Sequence, residues 1–267
     1  MDTELGAFLR SRRGQVVPED VGLASGPRRK VRGLRREEVA ELAGISVEYL
    51  VRLEQGRAAR PSESVVESLA RALSLSETER AHLIDLARLP HRGVPLAQKV
   101  RAELARLVDL MDGVPAMVTN HRLDLLAWNP LAAALFAGFG EDERNLARFM
   151  FLREIKLYPE LPEIQRATVG QLRLATGRHP GDTALMALIG ELSVRSERFR
   201  TLWAGRVVKE RTHGMKRFAH PVVGELWLHF ETFELPGGSG QRLSTFHAED
   251  GSASEESLRL LASWCVS

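Results

Sequence analysis

The sequence predicts an all-α N-terminal domain followed by an α+β C-terminal domain. A chain of 267 residues is long enough for two ordinary domains. Residues 4–90 have the pattern of short helices separated by Gly, Pro and Ser, whereas strand-like runs begin only after Val114. The segment LPHRGVP interrupts the helical pattern, so we place the boundary within it, with domains at 1–92 and 93–267.

The composition excludes several classes of protein. Hydrophobic residues make up 44% and charged residues 27% of the chain, as is typical of soluble globular proteins. The sequence contains no apolar run of membrane-spanning length and no secretory signal pattern, so we expect a cytoplasmic protein. Its single cysteine, Cys265, rules out an intramolecular disulfide, a CxxC redox pair and a thiolate zinc site.

The helices of the first domain are delimited by recognisable signals. Residues 15–33 contain Pro, Gly and Ser without periodicity and predict a loop after the first helix. Pro61 and Ser62 open a later helix, and Ser76 with Glu79 predicts a capping box at the start of the next.

Residues 36–55 have the spacing of two helices that cross through a tight turn. Ala40 is the small residue where the helices touch, and Gly44 tolerates a positive φ in the turn. The inward-facing apolar positions are Val39, Ala43, Ile45, Leu50 and Leu53. The start and outer face of the second helix are then formed by Ser46, Val47, Glu48, Tyr49 and Arg52. This spacing predicts a helix-turn-helix motif that reads DNA.

Positive charge is concentrated beside this motif. The segment from Arg28 to Arg36 carries six basic side chains and no acidic one. A polyanion is therefore a plausible partner, and we interpret the run from Arg28 to Lys30 as an electrostatic arm.

The second domain predicts an antiparallel sheet with helices inserted in the chain. An amphipathic helix carries Val100, Leu104, Leu107 and Met111 on one face and either enters this domain or joins two subunits. A hairpin that turns near Asn120 and a helix that opens at Pro130 follow. Further helices are predicted at about 145–152, 163–176 and 183–204. The remaining runs, RVVKERT, GMKRFAHPVV, ELWLHFETFEL and QRLSTFHAE, predict three or four strands before a closing helix, SEESLRLLASW.

The segments RREEVAELAGIS and VEYLVRLEQGR resemble the XRE family of helix-turn-helix regulators, and SVEYLVRLEQGRAARPS is similar to the form found in MmyB-like regulators. The resemblance extends over nearly the whole chain through LDLLAWNPLAAALF, NLARFMFL, ELSVRSERFRTLW and GMKRFAHPVVGELWLHFE. It implies a five-helix, lambda-repressor-like domain followed by a PAS-like domain. The cavity of that second domain is expected to hold an apolar small molecule of the fatty-acid type, with no other cofactor required.

The resemblance also implies roles on a double-stranded DNA operator. Val47, Glu48 and Arg52 would enter the major groove, where the Arg52 fork suits a guanine. Glu48 either accepts a hydrogen bond from cytosine or pairs with Arg52 one turn away. Ser46 and Tyr49 complete this surface, and the predicted phosphate contacts are Arg36, Arg57 and Arg60. A homodimer on a near-palindrome is expected.

Aromatic residues dominate the predicted lining of the ligand cavity. The expected ligand contacts are Trp128, Asn129, Phe149, Met150, Arg153 and Trp203. Arg153 either meets a ligand carboxylate at the cavity mouth or is a surface arginine, the commoner case. For Asn129, a helix N-cap is favoured over a ligand contact.

Two other classes of function remain as alternatives. A metal-dependent enzyme would use His229 and Glu231 on one strand face, with His213, His220 and His247 nearby. The sequence has no HExxH, GxSxG, phosphate-loop or dinucleotide motif, so a non-catalytic regulator is favoured. The second domain could instead dock a protein, which a large exposed apolar patch would favour.

Overall fold

The N-terminal domain is all-α. A computed structural model describes residues 3–23, 32–58, 60–87, 99–140, 142–205, 211–236 and 240–265. The helices of the first domain are α1 (Glu4–Gln15), a 3-10 turn (Pro18–Val21), α2 (Arg36–Ala43), α3 (Val47–Glu54), α4 (Glu63–Ala72) and α5 (Glu77–Ala87). Their core is formed by Phe8, Leu34, Leu50, Leu69 and Leu83, each at most 2% exposed.

The predicted helix boundaries in this domain are confirmed. The backbone N–H and the hydroxyl of Ser76 both donate to Glu79 Oε2, at 2.9 and 2.8 Å, and form the capping box. Ser62 caps α4 by accepting from Val65 N–H. Gly44 ends α2 with a φ of 65°, which lets the chain turn directly into α3.

The C-terminal domain is built on an antiparallel sheet. Its helices are α6 (Ala102–Asp109), α7 (Pro130–Leu135), α8 (Leu146–Leu152), α9 (Leu161–Arg178), α10 (Thr183–Arg195), α11 (Glu197–Ala204) and α12 (Ala253–Cys265). Its strands are β1 (Ala116–Thr119), β2 (Leu125–Trp128), β3 (His213–His220), β4 (Gly224–Glu234) and β5 (Arg242–His247). The described strands pair in the order β2-β1-β5-β4-β3, and every pairing is antiparallel. The predicted fold class, all-α followed by α+β, is confirmed.

Helices cover both faces of this sheet to different extents. On one face, Leu104 and Val108 of α6 pack against Val118 and Leu243. On the other face, α7, α8 and α12 enclose an apolar core with the inward residues of β3, β4 and β5, among them Phe218, Phe230 and Phe246. The face beneath these helices contains the cavity described below.

One predicted helix is two. Helices α10 and α11 replace the single helix expected at 183–204, because Ser196 has extended backbone angles, φ −129° and ψ 111°. Its hydroxyl accepts from Phe199 N–H at 3.2 Å and caps α11. The apolar spacing continues across Ser196, so periodicity alone does not reveal the break.

Several sequence predictions fall outside the described residues. These include the basic run 28–30, the boundary segment 89–95, most of the strand predicted at 206–212 and the turn at 237–239. The hairpin near Asn120 is confirmed, since Asn120 Oδ1 accepts from Arg122 N–H and Asp124 N–H.

Helix α9 packs against the first domain. Leu174 is 2% exposed and belongs to the apolar core of the helix-turn-helix domain. Arg178 Nε lies 3.5 Å from Asp85 Oδ2 of α5, and Arg178 Nη1 lies 3.7 Å from Glu234 of β4. The two domains therefore share a packed contact between α5 and α9.

Candidate DNA-reading surface and ligand cavity

Helix α3 presents a polar and basic face to solvent. Ser46 caps the helix by accepting from Tyr49 N–H at 3.1 Å. Glu48 and Arg52 are exposed, while Val47 and Tyr49 are half-buried. The guanidinium of Arg52 lies 5.8 Å from the Tyr49 ring centroid, and no ion pair joins it to Glu48 within the described chain. The Arg52 guanidinium is therefore exposed on α3, within cation–π distance of the Tyr49 ring.

A buried carboxylate holds α3 in place from behind. The side chain of Glu54 is 1% exposed and accepts from Arg13 Nε and Arg36 Nε, both at 2.7 Å. Arg10 also donates to the Glu54 carbonyl. In α1, Gly6 allows this approach, since a Cβ there would lie 2.3 Å from the same carbonyl.

The Glu54 cluster was not predicted from the sequence. Arg36 was expected to contact phosphate, and the structure commits its Nε to a protein carboxylate. The apolar pattern of α3 places Glu54 on the buried side of the helix, with Leu50 and Leu53. A charged residue at such a position is the sequence signal for a buried ion-pair cluster. Arg57 and Arg60, the other predicted phosphate contacts, are exposed beyond the end of α3.

A cavity of about 100 Å³ lies between the sheet and helices α7, α8 and α9. It has room for several water molecules or for about four methylene groups, so a ligand with a longer alkyl chain enters only if the cavity walls move. Its apolar lining includes Met117, Leu123, Phe136, Leu146, Met150, Ile164, Phe230 and Phe246. The described lining contains as many polar as apolar residues, and the cavity is smaller than the roughly 300 to 1,000 Å³ usual for small-molecule pockets.

The charged side chains in the described lining of this cavity are all basic. Arg211, Lys216 and Arg242 line it, and none of the lining residues that the structure describes is acidic. Burial and the neighbouring Arg211 lower the pKa of Lys216 to about 8. Thr232 and Ser244 line the same cavity, with hydroxyl oxygens 2.9 Å apart. The cavity can therefore accept an apolar group together with an anionic or electrophilic one.

Helix α9 belongs to both the cavity and the domain contact. Ile164, Ala167, Thr168 and Gln171 line the cavity. One turn later Leu174 enters the core of the first domain, and Gly177 lies against His82. A single continuous helix thus runs from the cavity wall to the first domain, which contains the helix-turn-helix motif and is called the DNA-reading domain below.

Comparison with known families identifies both domains. The family described as MmyB-like transcription regulator ligand binding domain matches residues 100–261, more than half of the chain. The chain belongs to this family. A helix-turn-helix domain family matches residues 4–83.

The MmyB-like regulator therefore joins a helix-turn-helix domain to a ligand-binding domain, as predicted. Both matched families are regulatory and ligand-binding. None of the curated proteins compared with the chain matches it significantly. Among solved structures, an RNA-binding light-oxygen-voltage receptor aligns with 86% of this chain at 13% identity and a TM-score of 0.27. The alignment spans 57% of that receptor chain.

Of the ligand contacts predicted for this MmyB-like regulator, Met150 lines the cavity. Trp128 packs edge-on against Phe139, 5.9 Å between ring centroids, and Phe149 contacts the same ring at 5.1 Å. Trp203 stacks on Phe199, and the Arg173 guanidinium lies 4.3 Å from its ring centroid.

The two polar residues predicted as ligand contacts also lie elsewhere. Asn129 is 1% exposed and caps α7, with Oδ1 accepting from Ala132 N–H at 2.8 Å. Its Nδ2 donates to two carbonyls, those of Met111 and Val114. Arg153 is exposed at the end of α8. The spacing of aromatic residues in the sequence predicts the aromatic core of the domain. The basic lining on β3 and β5 can be recognised only when the order and register of the strands are known.

The sheet register places four of the residues considered for a metal site at paired positions, with His213 opposite Glu231 and His229 opposite His247. His229 stacks on His247 at 5.2 Å, while His220 Nε2 hydrogen-bonds the Ala134 carbonyl. His213 is exposed at the start of β3. Within the described ranges, no group of three or more His, Cys, Asp or Glu residues is arranged to hold a metal ion. None of the described helices is long and apolar enough to cross a lipid bilayer.

Proposed function

We propose that this MmyB-like regulator binds a specific DNA operator as a homodimer and responds to an apolar anion, such as a medium-chain fatty acid, held in the cavity. The observation that carries the proposal is the double role of α9. Residues of its first half line the cavity, and Leu174 in its second half is part of the core of the DNA-reading domain. Occupancy of the cavity and the placement of that domain therefore depend on the same helix.

The cavity lining supports an anionic ligand with an alkyl chain. Each methylene removed from water contributes about 0.8 kcal/mol, so the apolar walls favour a chain. The positive charges of Arg211, Lys216 and Arg242 favour a carboxylate, and Lys216 makes no ion pair within the described residues. At neutral pH most Lys216 side chains are protonated, since the pKa is about 8.

The ligand is proposed to act by displacing α9. A ligand shifts an equilibrium only when it binds one arrangement of the protein better than another. A chain that pushes on Ile164 or Ala167 moves the helix carrying Leu174, and a movement there disturbs a close-packed core. The response is thus transmitted through packing and needs no disordered intermediate.

The DNA contacts are proposed for the exposed face of α3 and the residues after it. Arg52 meets a base edge, with Val47, Glu48, Ser46 and Tyr49 beside it. Arg57 and Arg60 contact phosphate, joined by the nitrogens of Arg36 that Glu54 does not use. Cytoplasmic location is part of this proposal, since the operator is there.

The proposed homodimer uses the first helix of the ligand-binding domain. On α6, Leu104 and Val108 face the sheet, whereas Leu107 and Leu110 are 49% and 64% exposed. Exposed leucines on a helix that already packs on the sheet support a second copy on the opposite face. Two copies place two α3 helices on successive turns of DNA.

Docking of a protein by the outer face of the sheet is the weaker alternative. Trp227 and Phe233 are about half exposed on β4. His229 and Glu231 alternate with them on the same face, so the apolar surface is interrupted. The cavity with its basic lining is the more specific feature.

Calorimetric titration of the full chain with decanoate tests the ligand proposal. Ala167→Phe fills the cavity and is expected to abolish binding, while Lys216→Met is expected to weaken it about tenfold by removing one cation. Lys156→Met, at a lysine whose side chain is 88% exposed, is the matched control and should bind like the parent. Equal affinity in all four proteins would contradict the proposed site.

A further inference from the structure

The amine of Lys216 lies in an unusual setting for a lysine. Its Nζ is 4.3 Å from the ring centroid of Phe230 and 5.3 Å from that of Phe246. The charged group that lowers its pKa is another cation, Arg211, whose guanidinium lies 6.0 Å from the Phe230 centroid. Within the described residues the ammonium has no ion pair. It is stabilised by the faces of the two aromatic rings.

These surroundings favour the neutral amine more than water does. Burial and Arg211 lower the pKa from 10.5 to about 8. Near neutral pH the neutral fraction is then on the order of a hundredfold larger than for an ordinary lysine. A lysine desolvated in an apolar pocket beside a second cation is the arrangement that activates amines toward carbonyl carbons.

We propose that Lys216 captures a medium-chain aldehyde as an imine inside the cavity. The inference rests on the proposed function, because the same cavity must accept the alkyl chain. The chain of the aldehyde would lie against Met150 and Ile164, with its carbonyl carbon at Nζ. The proposal adds a covalent mode of binding and a second class of ligand to the site.

The step balances without an oxidant or a reductant. The Nζ lone pair attacks the carbonyl carbon, a C–N bond forms as the carbonyl π bond breaks, and one proton moves from the nitrogen to the carbonyl oxygen. Loss of that hydroxyl together with a proton from nitrogen releases one water molecule and leaves a C=N bond. The apolar walls favour dehydration, and the hydroxyls of Thr232 and Ser244 provide local hydrogen-bond partners for the oxygen.

The other titratable groups of the cavity do not compete for the aldehyde. The guanidinium groups of Arg211 and Arg242 form no stable imine with an aldehyde, and burial raises the pKa of the Tyr158 phenol. A carboxylate in the cavity has the opposite effect, because it pairs with Lys216 and keeps the amine charged. Fatty acid and aldehyde are therefore expected to exclude one another.

The test is reductive trapping of the full chain with one equivalent of decanal and cyanoborohydride, followed by proteolysis and mass spectrometry. Reduction fixes an imine as a secondary amine and maps the modified lysine. The comparison is between Lys216 and Lys156, whose side chain is 88% exposed. Lys216→Arg keeps the positive charge but forms no stable imine, and Lys156→Arg is the matched control.

We expect at least about tenfold more trapped adduct at Lys216 than at Lys156. Decanoate should suppress labelling at Lys216 and leave Lys156 unchanged, while Lys216→Arg should lose the adduct and still bind decanoate. Equal labelling of the two lysines, or no protection by decanoate, would overturn the inference. If decanoate binds and Lys216 is unlabelled, the covalent mode fails and the proposed function stands; if neither molecule enters the cavity, both fail.

Discussion

A methyl group on Gly177 of α9 would lie 2.8 Å from Nδ1 of His82 on α5. The glycine therefore lets the ligand-binding domain approach the DNA-reading domain at this point. His82 is 2% exposed and packs edge-on against Phe8, with ring centroids 5.2 Å apart. A side chain at position 177 would therefore press on His82, which contacts the core residue Phe8.

Gly177→Ala is expected to destabilise the chain by about 1 to 3 kcal/mol, because the added methyl overpacks the contact with His82. The matched control is Gly190→Ala on the exposed side of α10, where a Cβ meets nothing within 4 Å. That variant should gain about 0.5 to 1 kcal/mol from reduced backbone entropy. Denaturant unfolding followed by circular dichroism measures both changes. Similar gains in the two variants would show that the contact is loose.

The same contact predicts a loss of stability in acid. Burial, with Arg173 and Arg178 nearby, lowers the pKa of His82 to about 4, whereas an unfolded histidine titrates near 6.5. Between those values the unfolded chain binds more protons, so the free energy of unfolding falls as pH drops from about 6.5 to about 4.

Unfolding titrations at several pH values measure this dependence. His82→Leu should reduce the slope of unfolding free energy against pH by the equivalent of up to one bound proton. His213→Asn, at an exposed histidine, serves as the control. Part of the slope should survive in His82→Leu, because burial also lowers the pKa of His179 to about 4. An unchanged slope in His82→Leu would mean that the ring is solvated.

Local signals in the sequence were sufficient to predict the fold. The capping residues Ser62 and Ser76, the turn at Gly44 and the hairpin at Asn120 each satisfy backbone groups a few residues away, so a linear pattern contains them. The break at Ser196 was missed because it interrupts a helix without interrupting its apolar spacing.

The candidate site was predicted less completely. The basic lining of the cavity joins Lys216 on β3 with Arg242 on β5, two strands separated by β4. Such a juxtaposition depends on sheet order and register. The Glu54 cluster likewise joins α1, α2 and α3, and no local pattern contains all its members.

Loss of Arg36 is predicted to lower the stability of the protein, whereas loss of Arg52 is predicted to change its base preference. Arg36→Ala removes one of two guanidiniums from the buried Glu54 carboxylate and should cost about 2 kcal/mol of stability. Arg52→Ala should leave stability unchanged and relax the base preference at one position of each half-site.

Thermal unfolding and selection from random duplexes separate these effects. Arg57→Ala is the control for a phosphate contact and should weaken all duplexes alike. A stable Arg36→Ala protein would show that Arg13 alone satisfies Glu54. An unaltered preference in Arg52→Ala would remove Arg52 from the base contacts.

Trp203 is predicted to matter for packing more than for ligand binding. Its ring stacks on Phe199 and under Arg173, away from the cavity. Trp203→Leu should lower the unfolding free energy by about 1 to 3 kcal/mol and leave decanoate affinity within about twofold of the parent. Ala167→Phe should abolish decanoate binding and leave the unfolding free energy close to that of the parent. Loss of decanoate binding in Trp203→Leu, with the fold intact, would return this tryptophan to the ligand site.

The central claim is that cavity occupancy changes DNA binding through α9. The most direct test is the Kd for a selected operator duplex, measured by fluorescence anisotropy with and without saturating decanoate, for the parent and for Leu174→Ala. We expect decanoate to change the Kd of the parent at least about tenfold, a coupling of about 1.4 kcal/mol, and that of Leu174→Ala by less than about twofold. A parent that binds decanoate by calorimetry and keeps the same operator Kd would contradict the account.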